Sequence, residues 1–69
     1  MKRRVILYPG EDGHDVAEVP SLPGCVSQGR TRDEALTNIQ KAIALHVEAL
    51  RERGESVPDD NFEIVEVAA

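Results

Sequence analysis

The sequence predicts a small α+β domain in the order β-β-β-α-β, with a four-stranded, mostly antiparallel sheet and one helix on one face. Three observations predict it. Three short runs in the first half are each bracketed by Gly, Pro or Asp-Gly turn residues. A long stretch with helical apolar spacing follows, with a start signal and a stop signal of its own. A last β-branched run closes the chain.

The first run, Arg4-Val5-Ile6-Leu7-Tyr8, is β-branched and apolar, and Pro9-Gly10 stops it. Asp12-Gly13 is a hairpin-turn pair. The second strand is expected over residues 14–19, ended by Pro20. Its alternation sets Asp15, Ala17 and Val19 against His14, Val16 and Glu18, an imperfect division. Pro20-Ser21-Leu22-Pro23-Gly24 is a rigid turn, since proline fixes φ twice and glycine frees the exit. A short third strand is expected over residues 25–28, closed by Gly29.

The helix is expected over residues 32–53. Thr31-Arg32-Asp33-Glu34 is a capping box, in which the Thr31 hydroxyl accepts from the Glu34 amide and the Glu34 side chain reaches back to Thr31. Asp33 and Glu34 suit the positive end of the helix dipole, and Arg51 and Arg53 suit the negative end. Leu36, Ile39, Ile43, Val47 and Leu50 form the core stripe, and Gly54 is a natural residue just past the end. Residues 56–61 are a polar loop. Residues 62–67 read as the last strand, with Phe62 and Ile64 on one face.

Three strands joined by short turns make a meander, and a right-handed crossover through the helix returns the last strand parallel to the first or the third, which point the same way; it is placed here beside the first. The expected spatial order is 3-2-1-4. The helix then covers one face and leaves the other partly bare, with Ile6, Tyr8 and some of Val16, Val26 and the last-strand valines, Val65 and Val67, on it. A bare apolar sheet face marks a contact surface. A second candidate contact lies on the helix flank, where Ala42, Leu45 and Ala49 fall together. Alanines there also serve simply as good helix formers. Either surface leads to an expected homodimer or tetramer.

The 69 residues make one domain, 1–69. A domain of this size buries roughly 60% of the surface its unfolded chain exposes, so a partner is expected to help hold it. Cys25 is the only cysteine, which excludes an internal disulfide and suits a reducing cytoplasm. The charge of −5 argues against direct nucleic-acid binding and suits a basic protein partner. Val5-Ile6-Leu7-Tyr8 is too short for a membrane span or signal core.

No cofactor, metal site or catalytic residue is expected. Two histidines, His14 and His46, are too few and too far apart for zinc. Two-metal hydrolysis needs converging carboxylates, and the first strand carries none. His46 borders the apolar stripe with no base partner in sequence, and Cys25 reads as a small buried strand residue.

The ordered set of Pro20, Leu22, Pro23, Gly24 and Cys25, then Gly29 and Thr31, then Glu34-Ala35-Leu36 resembles the HicB antitoxin family over most of the chain. That resemblance implies a partial ribonuclease-H-like fold and a type II antitoxin. It also implies a partner: a small basic HicA-like toxin that cleaves RNA and is occluded by binding. Longer members of the family carry a C-terminal DNA-binding domain, and this sequence stops at Ala69 without one. The expected toxin-facing residues are Glu11, Asp12, Asp15 and Glu18 around the first hairpin, with Leu22 as an apolar anchor. The alternative functions are a stand-alone oligomeric module of unknown ligand and, behind it, a metal-dependent nuclease.

Overall fold

The computed structural model describes residues 2–68. Three strands, β1 (Ile6–Pro9), β2 (Asp15–Glu18) and β3 (Val26–Gly29), precede one helix, α1 (Arg32–Glu52). The strands form an antiparallel sheet in the order β1-β2-β3. Ile6 pairs with Glu18 and Tyr8 with Val16; on the other side of β2, Glu18 pairs with Val26 and Val16 with Gln28.

The turns fix this register. The Gly10 amide donates to the His14 carbonyl at 2.7 Å, which leaves residues 11–13 as the hairpin loop. Pro9 belongs to β1 although it cannot donate, because β1 is an edge strand. Between β2 and β3, Leu22 donates to the Val19 carbonyl (3.1 Å) and Cys25 to the Leu22 carbonyl (2.9 Å). These are two turns in succession. The second has Pro23 and Gly24 at its centre, with Gly24 at φ 86°, the left-handed value such a turn requires.

Helix α1 begins as its start signal predicts, with one difference. The Thr31 hydroxyl accepts from the Glu34 amide at 3.1 Å, but the Glu34 carboxylate accepts from the Arg30 amide at 3.2 Å rather than from Thr31. The helix ends in a Schellman motif: Glu55 donates to the Leu50 carbonyl and Gly54 to that of Arg51. Arg53 is the C-cap residue.

α1 lies over β3 and β2 and hardly reaches β1. The buried core is small: Ala17, Val19, Leu22, Cys25, Ala35 and Ile39, with Val5, Leu7, Ala42, Ile43, Val47 and Leu50 packed at its margin. Burying the Ile39 side chain contributes about 1.5–3 kcal/mol. Gly29 lets the helix come this close, since a Cβ on it would stand 2.4 Å from the Ala35 amide nitrogen.

The expected fourth strand is not formed. Among the described residues the sheet has three strands, and residues 62–67 make no ladder with β1. The segment has the β-branched pattern of a strand, but the chain is tethered at Asp60 and at Phe62, its first residue, to Arg4 just before β1. The Arg4 guanidinium donates to the Asp60 (2.9 Å) and Phe62 (3.1 Å) carbonyls. Beyond this tether Ile64, Val65 and Val67 stand in solvent.

Candidate partner-binding surfaces

The pairing register sorts the side chains of the sheet onto two faces. Ile6, Glu18 and Val26 form one cross-strand row on the side away from α1, and Tyr8, Val16 and Gln28 form the next. Ile6, Tyr8 and Val26 are 38%, 41% and 47% exposed, so this face is bare, as expected, and apolar at its centre. Glu18 is the one carboxylate in these two rows.

The other expected toxin-facing residues do not share that face. Glu11 and Asp12 are exposed on the hairpin loop. Asp12 Oδ1 accepts from the His14 amide at 3.4 Å and lies 3.0 Å from His14 Nδ1, the latter contact lacking the alignment of a hydrogen bond. The bond from the His14 amide chiefly holds the Asp12 carboxyl below its ordinary value, against a smaller opposing effect of burial. Asp15 pairs with Pro9 and Gly29 on the helix side, where it lines a shallow cleft with Leu7, Tyr8, Pro9 and Arg32.

Leu22 is a correction. It is fully buried at the junction of the two turns, so it is a core residue and offers no anchor at the surface. A turn of Pro, Ser and Gly reads as exposed, but the double turn directs this one apolar side chain inward.

On the helix flank, Leu45 is 68% exposed while Ala49 is half-buried. Ala42 packs at the margin of the core. This flank lies on the β3 side, where the Asn38 side chain donates to the Gln28 carbonyl at 2.8 Å. On the opposite side, an open groove of about 620 Å³ separates α1 from the start of β1, lined by Lys2, Arg3, Val5, Leu36, Ile39, Gln40 and Ile43.

The residues with possible chemistry are placed as follows. Cys25 is 3% exposed, and burial disfavours its thiolate and pushes the thiol up, against a smaller opposing effect of the Arg3 charge. His46 is half-buried on α1. Among the described residues no three His, Cys, Asp or Glu side chains come together as a metal-binding group. No described helix is long and apolar enough to cross a membrane.

One cluster escapes the sequence reading altogether. Asp60 Oδ2 accepts from both the amide and Nε of Arg4, and Oδ1 accepts from the Ser21 hydroxyl at 2.9 Å. Arg3 donates to Ser21 Oγ (2.9 Å) and to the Pro58 carbonyl (2.7 Å), and the Arg4 guanidinium lies 4.0 Å over the Phe62 ring. The only signal for it was opposite charge, in Lys2-Arg3-Arg4 and Asp59-Asp60.

The family profile described as "HicB_like antitoxin of bacterial toxin-antitoxin system" matches residues 5–69. The chain belongs to the HicB-like antitoxin family. It is 48% identical to a UPF0150 protein of Thermoplasma acidophilum over the full length of both chains. It is 38% identical to a UPF0150 protein of Archaeoglobus fulgidus, covering 97% of this chain and 96% of that one. An uncharacterized 14.9 kDa protein of Haemophilus phage HP1 is 44% identical over 61 residues, 81% of this chain and 45% of the phage protein. Membership in the HicB-like family supports an antitoxin role, and with it a toxin as the partner in general.

Proposed function

We propose that this HicB-like chain neutralises a small basic HicA-like toxin that cleaves RNA, acting in the cytoplasm by occlusion and without chemistry of its own. Family membership supports the antitoxin role. The observation that carries the mechanism is the bare sheet face: an apolar patch of Ile6, Tyr8 and Val26, with Glu18 in its row and the acidic hairpin tip of Glu11 and Asp12 beyond. Apolar contact supplies affinity at the centre of such a patch, and the carboxylates steer a basic partner onto it.

In this reading Glu11, Asp12 and Glu18 face the toxin. Asp15, on the helix side, contributes through the overall field rather than by contact. RNA is excluded because the toxin's basic substrate surface is covered by an acidic one.

The test is association kinetics with the toxin encoded beside this chain's gene. Glu11→Lys with Asp12→Lys slows association by about tenfold at low salt and flattens its salt dependence. Tyr8→Ala speeds dissociation instead, as expected for a residue at the centre of the contact. Unchanged rates in both variants place the interface elsewhere.

A further inference from the structure

We propose that residues 62–67 of one chain add as the fourth strand along the β1 edge of a second copy, which returns its own segment by two-fold symmetry. The inference does not depend on the antitoxin reading.

The chain carries both halves of this contact and joins neither within itself. The first half is the segment. Ile64, Val65 and Val67 are β-branched residues, 73%, 64% and 82% exposed. No backbone bond ties residues 63–67 to the sheet among the described residues. The chain's radius of gyration is 13.2 Å, against about 11 Å for a compact domain of this length, consistent with elements that project from the body.

The second half is the edge. Gly10 donates to His14, so by alternation Tyr8 and Ile6 bond toward β2, while the amides and carbonyls of Val5 and Leu7 face outward. Pro9 ends the run, because it has no amide to offer. The β3 edge is less open, since Asn38 already occupies the Gln28 carbonyl. An exposed edge with unpaired groups is a template for strand addition.

Charge and connectivity select a second copy as the occupant. Lys2, Arg3 and Arg4 lead into β1, and Glu63 and Glu66 lie within the segment. The tether at Arg4 and Asp60 fixes where the segment leaves the body. A segment and an edge on one chain that complement each other close by a single two-fold rotation, and the exchange pairs both edges at once. The contact is distinct from the bare sheet face and from the Leu45 flank.

The experiment uses the full chain. Its mass is measured by light scattering at micromolar concentration, together with isotope-filtered NOEs in a mixture of labelled and unlabelled copies. Ile64→Pro and Val65→Pro are made separately, because adjacent amides point to opposite sides and only one of them faces the β1 edge. The proposal predicts twice the chain mass, and NOEs between copies linking Val65 or Val67 to Val5 or Leu7. It also predicts at least a tenfold weaker dimer in one proline variant, with the helical circular-dichroism signal unchanged. A monomeric wild type overturns it, as do segment-to-β1 NOEs confined within one copy, or a dimer that both proline variants leave intact.

Discussion

Asp60 Oδ2 accepts two hydrogen bonds from Arg4, one from the backbone amide and one from Nε, each 3.1 Å long. With Ser21 on its other oxygen, this carboxylate joins the chain end to the start of β1 and to the turn between β2 and β3. The Arg4 side chain is 54% exposed, so solvent weakens the pair. Asp60→Ala is expected to lower the midpoint of a denaturant titration only slightly. Its clearer effect is local: the Arg4 amide, freed from Asp60, exchanges faster with solvent, while amides in the middle of α1 do not change.

The same carboxylate sets an acid dependence. Burial alone would raise the Asp60 pKa, but hydrogen bonds from Ser21 and Arg4 outweigh it and hold the group below the ordinary aspartate value. A folded-state pKa below the unfolded one stabilises above the unfolded value, about 3.9, and that stabilisation disappears as pH falls through the folded value. Asp12 shifts in the same direction. The tether is therefore expected to loosen below about pH 4. Following the Phe62 resonances against pH checks this, and Asp60→Asn should remove the transition while Asp12→Asn leaves it.

Gly29→Ala tests the approach of α1 to β3. The added Cβ meets the Ala35 amide at 2.4 Å and the Glu34 carbonyl carbon at 2.7 Å, both backbone atoms that move only if the helix start moves. Overpacking of this kind costs about 1–3 kcal/mol, readable as a lower denaturant midpoint. A midpoint unchanged within error means the helix start is not held as described.

Leu22→Ala separates a core role from a surface role. Emptying this fully buried site is expected to destabilise the fold by about 2–5 kcal/mol. Leu22→Met keeps the volume and should leave both stability and partner affinity close to wild type. Loss of affinity in the methionine variant with stability retained would restore Leu22 as a contact residue.

Local signals carried most of the fold. The helix is expected over residues 32–53 and found at Arg32–Glu52, because Thr31 is a start mark and Gly54 a stop mark whose chemistry acts within a few residues. The turns at Asp12-Gly13 and Pro23-Gly24 are equally local. What the sequence hid depends on distant partners. Glu34 bonds Arg30 rather than Thr31 by a choice between neighbouring amides. Leu22 turns inward because of where α1 lies. Residues 62–67 show that an alternating β-branched pattern marks a strand-forming segment without naming its partner. Of the candidate toxin-facing residues, exposure was legible for Glu11 and Asp12. Alternation already set Asp15 and Glu18 on opposite faces, and only the packing of α1 showed which of the two faces is covered.

We propose that this HicB-like chain silences a toxin by binding it. The most direct measurement is co-expression with the small reading frame beside its gene, scoring growth and co-purification. The neighbour alone is expected to arrest growth and degrade RNA, and this chain to restore growth and co-purify with the neighbour. An arrest that persists with both proteins present and folded, or rescue with no complex between them, would contradict it.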